Sequence, residues 1–206
     1  MYKKVLTACA GLVLLITGVA LAGVPCAGTT TVVAAGNGAQ APDCAPGAVI
    51  CPNGDYDQVV VTVTVRDCYG TPLAGRMVTV SASPAGPPFC FCPDGEDPPN
   101  DYEDTKEVGP TDALGQTQAT FAKFGGCGNM SFYATIGTVT AGPSTDVFIA
   151  SFDIGNDCEV ELIDFGEFAK NYYSADPCYD YNCDGEVELI DFGEFAKHYY
   201  HSCTNP

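Results

Sequence analysis

Val59, Val61, Val63 and Val65 alternate with Val60, Thr62, Thr64 and Arg66, a period of two that predicts a half-buried strand. A Gly/Pro turn over 68–75 follows, and the strand pattern restarts at Met77, Val78, Thr79 and Val80. After a turn at 112–115, further strands are predicted over 116–124, 130–136 and 147–152. A long loop rich in prolines and acids interrupts the series over 83–108. Short strands separated by turns over 56–150 predict an antiparallel β-sandwich. Near the C-terminus the period changes. Phe165, Phe168, Ala169 and Tyr172 stand at i, i+3, i+4 and i+7, as do Phe192, Phe195, Ala196 and Tyr199, and each set marks one face of a helix.

The first 55 residues follow neither period. Lys3 and Lys4, an apolar run and the small-residue exit Ala20-Leu21-Ala22 read as a cleaved secretory signal over 1–22, with no membrane span left after cleavage. Residues 23–55 are rich in Gly, Ala, Pro and Cys and read as a stapled linker or cap, with at best a weak strand at 29–33.

Charge and cysteine content narrow the function classes. The 206-residue chain has 26 acids and 8 bases, a formal net charge of −18 that repels phosphate backbones and argues against nucleic acid as a partner. The chain has two histidines, both near the C-terminus, and the expectation is a protein that is not an enzyme. Its 12 cysteines suit an oxidising compartment, hence a secreted or cell-surface protein. Cys158, Cys178, Cys183 and Cys203 are expected to pair among themselves, stapling a segment too small for a large core. The cysteines remaining after signal cleavage are odd in number, so one thiol is left free or open to an intermolecular bond. A zinc site is not expected, because neither histidine lies in a Cys/His spacing. The segment Cys51-Pro52-Asn53-Gly54-Asp55 reads as an exposed acidic turn.

The chain's most specific signal is an internal repeat. Residues 153–173 and 180–200 match at 16 of 21 positions, and 13 of the 26 acids lie in 151–206. In the second copy Asp180, Asn182, Asp184, Glu186, Glu188 and Asp191 hold positions 1, 3, 5, 7, 9 and 12 of a calcium loop, with Gly185 at the bend position 6. A hard cation needs about six to eight oxygens, and this spacing returns alternate side chains towards one point. The first copy has Asp153, Asp157, Glu159, Glu161 and Asp164 at positions 1, 5, 7, 9 and 12. Gly155 stands where an oxygen belongs at 3 and Cys158 where Gly belongs at 6, so its site is expected to be weaker.

Two resemblances follow. Val65-Arg66-Asp67 leading into Gly70-Thr71-Pro72-Leu73-Ala74-Gly75, with Thr111-Asp112-Ala113-Leu114-Gly115 later, resembles bacterial Ig-like domains of the invasin type, which act as spacers, stalks or adhesive modules. The duplicated calcium loop over 151–206 resembles a dockerin, the calcium-dependent module that docks extracellular proteins onto cohesins. Together they imply a mostly β Ig-like antiparallel sandwich followed by a small α-helical module of two loop-helix repeats. The dockerin resemblance places partner contacts at loop positions 10 and 11, here Leu162-Ile163 and Leu189-Ile190, and at Lys170 and Lys197. The expected function is a secreted, non-catalytic protein that binds Ca²⁺ and docks onto a cohesin-like partner. The alternatives are a self-associating, calcium-stabilised surface or fibre subunit, or cargo that binds or acts on polysaccharide.

Overall fold

The computed structural model describes residues 23–38, 47–84, 88–93 and 104–204. The expected signal and the acidic stretch 94–103 lie outside the described residues. Eleven strands run in chain order: β1 (Thr31–Gly36), β2 (Gly47–Ile50), β3 (Val59–Thr64), β4 (Val78–Ser83), β5 (Phe89–Phe91), β6 (Thr105–Val108), β7 (Gln116–Phe121), β8 (Phe124–Gly126), β9 (Gly128–Ile136), β10 (Val139–Ala141) and β11 (Val147–Ser151). Two nine-residue helices follow, α1 (Leu162–Lys170) and α2 (Leu189–Lys197).

The strands form a three-stranded sheet, β1-β3-β7, and a six-stranded sheet that includes the order β2-β11-β9-β4-β6, with β10 paired to β9. Alternation works as the valines predict: Val59, Val61 and Val63 point inward to the same core as Val78, Val80, Phe132 and Ile149 from the other sheet. The pairing is not wholly antiparallel, because β11 runs parallel to β2, with Ile149 opposite Ala48. The Gly- and Ala-rich residues before Asp55 supply β1 and β2, each placed in one of the two main sheets. Residues 83–108, expected to be loop, contribute β5, which pairs with β8, and β6, which pairs with β4.

The expectation of a sandwich followed by a separate α-helical, dockerin-like module is overturned. The described residues are mostly β, and their helical content is two short helices that build no module of their own. The physical reason is the size of their apolar faces. Among the aromatics of the two stripes, only Phe168 and Phe195 are fully buried, while Phe165 is 37% exposed. Phe168 and Phe195 stack at 5.6 Å and join a cluster whose other members include Val49, Cys51, Ala150 and Phe152 of the β region. The repeat thus completes its core with the β body's side chains.

The disulfides repeat that dependence and correct the expected local pairing. Cys158 bonds to Cys90, Cys203 to Cys92 and Cys178 to Cys127, while Cys26 bonds to Cys68. Cys183 is disulfide-bonded as well. Among the described residues Cys51 is the free cysteine, and it is buried.

Candidate metal centres

The two copies of the repeat fold their loops alike. In the second loop Asp180 accepts the backbone N–H groups of Asp184 (3.2 Å) and Gly185 (2.8 Å). In the first, Asp153 accepts those of Asp157 (3.2 Å) and Cys158 (2.8 Å). The last acid of each loop closes it from the first turn of the helix. Asp191 accepts from Tyr181 (2.7 Å), Asn182 (3.1 Å) and Glu188 (2.8 Å), and Asp164 from Gly155 and Glu161 (both 2.7 Å). Glu161 and Glu188 are the N-caps, in a capping box with Asp164 and Asp191, so position 9 starts each helix and position 12 stands in its first turn.

The bends agree as well. Positions 4 and 6 have positive φ in both loops: Asn156 (54°) and Cys158 (70°) in the first, Cys183 (58°) and Gly185 (93°) in the second. Gly185 adopts this conformation freely, whereas Cys158 does so while bonded to Cys90. Position 8 interlocks the copies: Val160 exchanges backbone hydrogen bonds with Tyr200 and His201 beyond α2, and Val187 with Tyr173 and Ser174 beyond α1.

The second loop carries the donor types a hard cation takes, but among the described residues its acids are not gathered into a metal-sized cluster. Asp180, Asn182, Asp184, the Glu186 carbonyl, Glu188 and Asp191 are all oxygen carriers, and a carboxylate oxygen that accepts one N–H keeps a lone pair for an ion. Asn182 and Asp184 also hydrogen-bond each other at 2.9 Å. In the first loop Gly155 brings no oxygen at position 3, and Glu159 occupies position 7. Burial, followed by neighbouring carboxylates, pushes Glu161 and Glu188 above the usual range. Asp164 and Asp191 are raised too, chiefly by burial against the pull of their backbone hydrogen bonds. Asp153 is fully buried and pushed up to about 7, mainly by desolvation. Gly125 of β8 lies directly against its side chain, and the Gly126 N–H donates to the Asp153 carbonyl at 2.8 Å.

The expected partner residues lie on the outside. Leu162 and Ile163 are 68% and 60% exposed, Leu189 and Ile190 69% and 55%. Lys170 pairs with Glu167, and Lys197 with Glu194 at 2.6 Å, on exposed helix surface. Between the helices Phe165, Phe192, Phe195, Ala196 and Tyr199 line an apolar groove.

A second constellation escaped the sequence reading. Cys51 and Asp55, just after β2, meet His198 and His201, just after α2, and one ligand atom from each lies within 4.8 Å of all the others. Cys51 and His201 are 150 positions apart, so no local spacing could reveal the set. It is not a nucleophilic relay. A relay uses the two nitrogens of one imidazole in opposite directions, whereas here Cys51 and Asp55 both approach Nδ1 of His201. Cys51 is also fully buried, closed to a substrate.

No helix among the described residues is long and apolar enough to cross a membrane. No family model matches the chain, and no curated protein matches it. Among solved structures the chain is similar to the Yersinia pseudotuberculosis adhesin InvE, at 22% identity and a TM-score of 0.37. That likeness covers 63% of this chain and 28% of the adhesin, and at that level it carries no argument about function.

Proposed function

We propose that this is a non-catalytic secreted or cell-surface binding protein, in which the duplicated C-terminal loops take Ca²⁺ and present two equivalent apolar faces to a protein partner of cohesin-like kind. The observation that carries this reading is the register between ligands and exposed residues. In each copy an exposed Leu-Ile pair sits between the ligand at position 9 and the ligand at position 12, on the first turn of a helix that the loop sets in place. Ion binding at positions 9 and 12 orders the turn on which the pair stands. Exposed leucine and isoleucine repeated on equivalent turns suit an apolar partner surface. The β body serves as the rigid base that holds these faces out.

The experiment is capture from the secreted proteome with the full-length, oxidised protein, in millimolar Ca²⁺ and in chelator, using wild type and L162D/I163D/L189D/I190D. Capture of one defined protein that needs Ca²⁺ and is lost in the variant supports the reading. Capture indifferent to both changes overturns it. Sedimentation velocity of the protein alone separates the second reading: calcium-dependent self-association abolished by the same variant makes the exposed pairs contacts between copies.

A further inference from the structure

We propose that Cys51, Asp55, His198 and His201 form a four-coordinate transition-metal site that takes Zn²⁺, independent of the calcium loops. Zinc binds sulfur at about 2.3 Å, imidazole nitrogen at about 2.0–2.1 Å and carboxylate oxygen at about 2.0–2.2 Å, so tetrahedral ligand atoms sit roughly 3.3–3.6 Å apart. Four contacts among these residues fall in that interval, two of them to different oxygens of Asp55, and one ligand atom from each residue lies within 4.8 Å of all the others. Cys51 Sγ to His201 Nδ1 is 3.5 Å, and His198 Nδ1 to His201 Nδ1 is 3.3 Å. His198 Nδ1 to Asp55 Oδ1 is 3.4 Å, and His201 Nδ1 to Asp55 Oδ2 is 3.6 Å. Two imidazole nitrogens facing each other at 3.3 Å, with a thiol and a carboxylate on the same point, surround the volume of one cation.

The ligands are held from behind. His198 is stacked on Phe152 at 4.2 Å and met edge-on by Tyr56 at 5.0 Å, which fixes its ring. His201 is tied by its carbonyl to the Val160 N–H at 2.8 Å. Two residues further on, Cys203 is bonded to Cys92, whose sulfur lies 3.2 Å from the Pro52 carbonyl beside Cys51. The turn that returns Asp55 towards Cys51 is closed by the Gly54 N–H on the Cys51 carbonyl, with Gly54 at φ 82°. Such outer contacts orient ligands before the metal arrives. The Asp55 side chain is 46% exposed, which gives an ion a way in. The Asn53 amide, 3.1 Å from His201 Nδ1, has to turn aside for that nitrogen to reach an ion. A thiolate, two imidazoles and one carboxylate suit a borderline-soft tetrahedral ion and not the all-oxygen preference of Ca²⁺.

The test uses the full-length, oxidised protein, stripped of metal and reloaded with Zn²⁺ in excess Ca²⁺, then desalted and assayed for bound zinc. The expected result is one zinc per chain in wild type, D184N and N53A, and affinity about 100-fold weaker or worse in C51S and H201A. Co²⁺ in place of Zn²⁺ should give a thiolate-to-metal charge-transfer band that C51S abolishes, with near-ultraviolet circular dichroism confirming that C51S is folded. Wild type that retains no zinc, or zinc and cobalt signals that survive C51S and H201A, overturns the proposal. Loss of zinc in D184N assigns the ion to the calcium loop and overturns it equally.

Discussion

The first and second loops of the repeat share a backbone and differ in how they hold it. At position 6 the second loop uses Gly185, which accepts φ 93° with nothing within 4 Å of where a Cβ would stand. The first loop reaches the same region at φ 70° with Cys158, tied to Cys90 of β5. At position 1 Asp153 is fully buried against β8, whereas Asp180 keeps 8% exposure. At position 3 the second loop has the oxygen carrier Asn182 and the first has Gly155. A duplicated motif can therefore keep its shape while its copies diverge: both loops carry a disulfide-bonded cysteine, but the first buries its leading acid against the β body and gives up a donor, and the second keeps the full set of donors.

The largest effect should come from breaking the bond between Cys90 and Cys158. C90S/C158S removes a bridge spanning 68 residues and leaves a serine at positive φ, so it should cost about 2–4 kcal/mol and roughly 5–15 °C in Tm. C90S/C158G should recover about 1 kcal/mol of that, because glycine relieves the left-handed position. Thermal scans of the three proteins check this, and equal Tm values for the serine and glycine forms would mean that φ at 158 carries no strain. Adding G155N to C90S/C158G sharpens the contrast by giving the first loop the second loop's residues at 3 and 6. A second tight calcium in titration calorimetry is expected.

The next effect is on calcium itself. D180N/D184N should weaken the tighter site by roughly two decades, while D153N/D157N should change total binding less. Calorimetric titration with equal losses from both pairs would erase the proposed ranking of the loops.

The smallest effect is the pH response in chelator. The folded Asp153 carboxyl is raised from 3.8 to about 7, so its penalty is absent below the unfolded value and complete above the folded one. Asp164 and Asp191 lean the same way. The calcium-free protein should gain about 1–3 kcal/mol on acidification from pH 7 towards 4. In saturating Ca²⁺ the trend should reverse, since protons compete for the ligands. A Tm in chelator that falls over that range would contradict the penalty at Asp153.

Periodicity made the inner strands legible. The valines of β3 and the alternation in β9 leave one reading, because a buried face fixes the parity of its side chains. β1 was legible only as a weak strand at 29–33 and β2 was missed, because the Ala and Gly beside their Val and Ile residues have weak strand preference, and both are ordered by the neighbours they pair with. The ligand order of the second loop was legible because it is local. The disulfide partners were not, and the assumption that a small acidic segment staples itself failed once its core proved to be shared with Val49, Cys51, Ala150 and Phe152. The Cys51–His201 group was illegible for the same reason: its members meet only because the repeat docks on the end of β2.

That docking has a mechanical side. Cys158, Cys178 and Cys203 anchor the repeat at its beginning, middle and end to Cys90, Cys127 and Cys92. Tension arriving at an exposed Leu-Ile pair passes within a short stretch of chain into a covalent strut, and from there into the β body. The helices can be loosened, but the repeat cannot be peeled away while the struts are oxidised. On the proposed reading, a protein built this way would yield under load by reduction or by rupture of a partner's grip, and not by unspooling of the repeat.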